Sequence, residues 1–179
     1  MRNTKNRKLG RTGLASVVAG LVLGALGVAG GALAQNASPE DIATGFRIFR
    51  QKGNCQTCHG WAADGVKMDT QMPDGANLRE TDMDRETILT TIRCGRPDTG
   101  MPAFERLAYS DGRCYGMKKA DVDKAGMSLT DPPATLSIRE IELVTDFLFA
   151  KVIGKGAMDR EKCIDLFGSD VATCKQLSK

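Results

Sequence analysis

GNCQTCHGW, residues 53–61, places Cys55 and Cys58 three positions apart and directly before His59, the only histidine in the chain. On a helical turn, positions i and i+3 share a face, so both sulfurs project to one side with the imidazole beside them. A thiol redox pair has no need of the histidine and calls for a strand–helix setting. A structural zinc site needs four ligands, and the next cysteine is Cys94, with no second paired cluster to complete a tetrahedron. An iron–sulfur cluster requires further cysteines at short spacing. What remains is C-x-x-C-H, the attachment pattern of a c-type haem, with two thioethers to the ring's vinyl groups and His59 on the iron. One covalent haem c is therefore expected on Cys55, Cys58 and His59.

Upstream of the motif, Ser38-Pro39-Glu40-Asp41 carries the marks of a helix start: an N-cap, a proline at the first helical position and acid in the first turn. Ile42, Phe46 and Phe49 give that helix an apolar stripe, and it should end near Gly53. Downstream, residues 60–78 hold Gly, Asp and Pro without period and read as loop. A second helix is predicted to begin between Thr81 and Asp84, run through Ile88, Leu89 and Ile92, and stop at Gly95. CGRPDTGMPAF, residues 94–104, has two prolines and two glycines in eleven positions and is irregular. Residues 105–136 read as a long, partly ordered excursion. Ser137 with Glu140 forms a capping box, opening a core helix in which Ile138, Ile141, Leu143 or Val144, Phe147 and Leu148 recur at helical spacing up to Gly154. The tail, 155–179, is expected to add one short helix between Cys163 and Cys174. No period-2 run supports a sheet, so the chain is mostly α.

The first 34 residues are of another kind. Arg2, Lys5, Arg7, Lys8 and Arg11 precede an apolar, Ala/Gly-rich run and Ala32-Leu33-Ala34. This reads as a secretory signal peptide cleaved before Gln35, with an uncleaved membrane anchor as the alternative, since a span needs about 20 apolar residues. Residues 1–34 are thus a targeting segment and 35–179 one domain with a C-terminal extension from 155. All charges in the targeting segment are basic; without them 25 Lys plus Arg become 20 against 22 Asp plus Glu. The mature chain is slightly acidic and has no basic run interleaved with aromatics, which argues against a nucleic-acid partner. Export implies the periplasm, where disulfides persist. Membrane contact is expected only if the segment is retained.

Over residues 38–154 the chain resembles the small monohaem cytochromes c of class I. The resemblance is carried by Gly45 and Phe49 before the motif, Cys55-Gln56-Thr57-Cys58-His59, Asn77-Leu78, Gly100-Met101-Pro102-Ala103-Phe104, and Phe147 in the last core helix. It implies the cytochrome c fold, with three to five helices around one covalently bound haem and long loops between them. It implies too that the first and last helices cross at a small residue and an aromatic, here Gly45 with Phe49 and Phe147, although Phe49 stands farther from the first cysteine than is usual. The middle loop of this family brings a methionine to the distal face of the iron. With no second histidine, Met101 is the expected sixth ligand and Met72 the runner-up. The proline that usually follows the histidine is missing, which leaves open the carbonyl that orients the His59 ring. A buried macrocycle would also compensate for an aromatic content of only 5%.

Trp61 is either a ring neighbour or an ordinary buried aromatic, and Arg93 and Arg96 are either propionate partners or solvated cations. The four cysteines outside the motif allow three pairings. Closure of the shorter loops favours Cys94 with Cys114 and Cys163 with Cys174. Histidine plus methionine leaves no open iron position, and thioether ligation raises the potential. The expected role is a periplasmic electron carrier or electron-transfer subunit, not an enzyme. It would pass single electrons from a donor dehydrogenase or quinol-oxidising complex to an acceptor oxidase or reductase. A haem-based small-ligand sensor or catalytic subunit with displaceable Met101 is the alternative; a colourless disulfide protein is a third reading. The excursion 105–136 is either a docking surface for one such redox partner or padding beside the haem.

Overall fold

A computed structural model describes residues 37–177; the expected targeting segment, 1–34, lies outside the described residues. Helix α1, Pro39–Arg47, starts as its sequence dictates. The Ser38 hydroxyl accepts from Asp41 N while the Asp41 carboxylate accepts from Ser38 N, and Pro39 fills the first helical position. α1 widens into a π-helical turn, Ile48–Lys52, closed by Gly53 N donating to Ile48 O. A π turn spends one residue more than an α turn, and this absorbs the extra distance between Phe49 and Cys55.

α5, Ile138–Lys151, is the central helix. Its capping box joins Ser137 and Glu140, and it buries Ile141, Leu143, Val144, Thr145, Phe147 and Leu148. Ile138 is the exception to the predicted stripe. It is 49% exposed, because it sits in the first turn before α5 reaches the core. α1 crosses α5 at Gly45, where a Cβ would lie 2.1 Å from Leu143 O and 2.6 Å from Phe147 Cβ. Only glycine permits that approach. The rings of Phe46 and Phe49 lie 5.3 and 5.6 Å from that of Phe147.

α3, Arg85–Cys94, begins with the Asp84 carboxylate accepting from Thr87 N at 2.7 Å and ends at Gly95, whose φ is +62°. It packs Ile88 and Ile92 into the same core as α5. Between α1 and α3 lies the single turn α2, Gln56–His59.

The excursion 105–136 has a small core of its own. Ala108, Tyr109, Cys114 and Val122 cluster with Cys94, and α4, Lys119–Lys124, supplies Val122. The segment returns to its start, with Leu136 N donating to Phe104 O at 2.8 Å and Glu105 bridging to Leu136. It is an ordered, closed loop, more structured than its composition suggests. Both disulfides form as expected, Cys94 with Cys114 and Cys163 with Cys174.

The tail holds two helices where one was predicted, α6, Arg160–Phe167, and α7, Ala172–Lys175. Gly168, in the left-handed conformation at the end of α6, breaks the run. Phe167 packs on Phe46 and Trp61 at ring distances of 5.5 and 5.9 Å. The described residues therefore contain seven helices, not three to five. Four have eight residues or more, and α2, α4 and α7 are turns of four to six residues that no hydrophobic period could announce. The structure is mostly helical, with no strand among the described residues.

Candidate cofactor site

Asn54 takes a left-handed φ of +48°, turning the chain out of the π segment and into α2. His59 N donates to Cys55 O at 2.9 Å, so the two cysteines and the histidine occupy one turn. All three line a cavity of about 570 Å³, within the roughly 300–1,000 Å³ typical of cofactor pockets. Its apolar walls come from Phe49, from Ile88 and Ile92 of α3, from Phe104, and from Val144 and Leu148 of α5. Cys55 and Cys58 are the free thiols, the other four cysteines being bridged. Burial pushes the Cys55 thiol up to about 12 and also raises Cys58. Reactive redox thiols show the opposite shift, so the thiol redox reading finds no support here.

The His59 ring is oriented from below. Its Nδ1 stands 2.8 Å from Ala76 O, so Nδ1–H donates and Nε2 keeps its lone pair. Burial lowers the imidazole's pKa, with the Ala76 bond opposing and Arg96 adding to the shift; a metal-binding imidazole has to be neutral. The carbonyl left open by the missing proline is therefore that of Ala76. Gly75 is what brings it close, since a Cβ there would meet the Cys58 carbonyl and His59 Nδ1 at 2.8 Å.

The loop that follows α3 supplies a further part of the cavity wall, Arg96 and Thr99 to Pro102. Arg96 N donates to Met101 O at 3.0 Å and Thr99 Oγ1 to Arg96 O at 2.7 Å, which folds residues 96–101 into a tight turn. The two walls meet where Gly100 packs on Pro73, a Cβ on Gly100 falling 2.2 Å from Pro73 Cγ. Three methionines line the cavity: Met101, Met72 and Met83. Met83 was neither the expected ligand nor the runner-up; its sulfur lies 3.7 Å from Arg96 Nη2. Of the two arginines, Arg96 lines the cavity, whereas Arg93 pairs with Glu105 at 3.0 Å. Trp61 is not among the lining residues and packs on Phe167 instead.

Sequence reasoning missed two contributors. Thr130, Asp131, Pro132 and Pro133 of the excursion form part of the cavity wall, although they lie some seventy residues beyond His59. Arg79, only 1% exposed, donates to Ala62 O and Gly156 O, tying the loop after His59 to the start of the tail. A single arginine in a polar loop carries no signal of that role.

Two free thiols, a neutral imidazole and a thioether around an apolar cavity fit a covalently attached haem as a donor set. Residues 40–116 match the family described as cytochrome C oxidase, cbb3-type, subunit III. That span runs from α1 past Cys55, Cys58, His59 and Met101 to just beyond Cys114, and stops before α4 and α5. No curated protein and no solved structure matches the chain.

Proposed function

We propose, from the match of residues 40–116 to a cytochrome family, that the chain is a monohaem electron carrier of the periplasm, binding its haem through Cys55 and Cys58 with His59 and Met101 on the iron. It would take single electrons from a dehydrogenase or quinol-oxidising complex and deliver them to an oxidase or reductase. The observation that carries this reading is the convergence of both free thiols and the Ala76-oriented imidazole on one apolar cavity with Met101 in its wall. When bound, the haem supplies a one-electron couple that thioether ligation biases towards the reduced state.

The chain's own part is rigidity and exclusion of water. Ala76 fixes the ring of His59, and the turn 96–101, bonded within itself, limits the movement of Met101. Phe49, Ile92, Phe104 and Leu148 keep the site apolar. Little needs to move between oxidation states. The alternative, a small-ligand sensor with displaceable Met101, predicts that the reduced protein binds carbon monoxide readily.

The test is the holoprotein itself. Haem must stay with the denatured polypeptide, the ferric form must show an iron–sulfur charge-transfer band that Met101→Ala removes, and the reduced form must resist carbon monoxide. A band that survives Met101→Ala and disappears in Met72→Ala or Met83→Ala would transfer the ligand role. An exported protein beginning at Gln35 would support cleavage of the targeting segment; retention of residues 1–34 would make the carrier membrane-anchored.

A further inference from the structure

The excursion 105–136 leaves the Met101 loop at Phe104 and then reaches back to grip it from both shoulders. On one shoulder, Tyr109 Oη donates to Cys94 O and Tyr115 Oη to Gly95 O, both at 2.8 Å. These are consecutive carbonyls at the end of α3, where helix carbonyls have lost their own partners and where Gly95 redirects the chain towards Met101. On the other shoulder, Asp98 N donates to Ser128 O and Thr130 Oγ1 to Thr99 O, again at 2.8 Å. Ser128 N and Oγ both donate to Asp98 Oδ1 at 3.3 Å.

The backbone at these contacts is held in an unfavourable conformation. Tyr115 has φ +57° and Asp98 φ +65°, a left-handed geometry that non-glycine residues adopt at a cost and keep only where surrounding contacts over-determine it. Tyr115 is also 48% exposed, so burial of its ring does not account for its placement. It is presented by the tight turn in which Met117 N donates to Cys114 O, next to the disulfide that fixes Cys114 to Cys94.

We propose that Tyr115, Tyr109 and Thr130 are positioning residues that hold the turn 96–101 closed and so set how readily the Met101 thioether leaves the iron. The inference rests on the reading of Met101 as ligand. Opening the turn would break the bonds to Gly95 O and Thr99 O, so each bond favours the closed, Met101-ligated form by its own net worth. In this protein the excursion tunes the distal ligand by bracing the turn that carries it.

The experiment is a titration of the ferric holoprotein with imidazole, which competes for the distal position, following the iron–sulfur band. Tyr115→Phe keeps the ring and removes one hydroxyl; it should tighten apparent imidazole binding about fivefold, the ratio expected for one neutral hydrogen bond. Thr130→Val should act similarly from the other shoulder, the pair combining to about 25-fold if the sites are independent. A defect of folding alone would shift the denaturation midpoint and leave imidazole affinity unchanged. Affinities within about twofold of the parent in Tyr115→Phe, Tyr109→Phe and Thr130→Val, with the band intact, overturn the proposal. Met101→Ala is run in parallel: a surviving band there shows that the ligand assignment has failed, whereas a lost band with unaltered tyrosine variants shows that only the bracing role has.

Discussion

The two sides of the cavity are built in different ways. The side of His59 is made by contiguous chain. One turn holds both thiols and the imidazole, and the carbonyl that orients the ring comes from Ala76, 17 residues on. The side of Met101 is made by chain that is distant in sequence, with hydrogen bonds spanning 30 and 31 residues to Ser128 and Thr130 and a disulfide spanning 20 to Cys114. A locally built wall needs only its own turn and the scaffold beneath it. A remotely braced wall depends on every segment that returns to it, so it is the side that can open without loss of the fold.

Both walls lean on the α1–α5 crossing, and breaking it should have the largest effect. Gly45→Val would drive a branched side chain into the Leu143 carbonyl and Phe147 Cβ, backbone and packed ring that cannot give way. The expected loss exceeds about 3 kcal/mol, beyond the usual overpacking penalty of roughly 1–3 kcal/mol. It should remove both walls together, seen as a single shared drop in helicity and in the Met101 band. A variant that loses only the band would place the crossing outside the scaffold.

The two disulfides separate the walls. Each closes a loop worth about 3 kcal/mol in the chain-entropy account, yet they sit in different places. Replacing Cys94 and Cys114 by serine should uncouple the distal wall, so that on heating the iron–sulfur band fades several degrees before the helices melt. Replacing Cys163 and Cys174 should lower the melting temperature by a similar amount while band and helicity disappear together. Identical behaviour of the two double variants would mean that the excursion does not hold the Met101 loop.

The same division explains what was legible in the sequence. Cys55, Cys58 and His59 could be placed by spacing alone and the starts of α1 and α5 by Ser38 and Ser137, because each is a local rule; the start of α3 was confined to residues 81–84, and the crossing at Gly45 and Phe147 was implied by the family resemblance. Met101 entered through its loop context, and the cavity admits Met72 and Met83 beside it. Tyr115, Thr130 and Pro132 left no such trace, since their roles exist only once a closed loop has returned on itself, and no period or motif encodes that return. Arg79 belongs with them: its partners, Ala62 and Gly156, are separated by most of the fold.

The locally built wall can be strained by itself. Gly75→Ala places a methyl 2.8 Å from the Cys58 carbonyl and His59 Nδ1, pushing the Ala76 carbonyl off the ring. Stability of the holoprotein should fall by roughly 1–3 kcal/mol in denaturant titration, with imidazole affinity at the distal side unchanged. A tighter imidazole complex in Gly75→Ala would show that strain on the His59 side reaches Met101, and the two walls would have to be treated as one mechanical unit.

Acid should produce the smallest effect and should strike the scaffold first. Glu140 is held below its usual range chiefly by the Lys52 hydrogen bond and then by Ser137, and Asp41 chiefly by Ser38. Their ordinary values are 4.5 and 3.8. The unfolded chain therefore takes up protons first, and the stability these caps lend to α5 and α1 is present above about pH 4.5 and lost as pH falls through the folded values. In the excursion, Asp111 is lowered further, to about 2, by its Arg113 partner. Between pH 5 and 3 the denaturation midpoint should decline modestly, with helicity and the Met101 band falling in step, in contrast to the staggered loss expected on heating the Cys94 and Cys114 variant. A band lost at pH 4 while helicity holds would place the acid-sensitive contact in the distal wall instead of at the caps of α1 and α5.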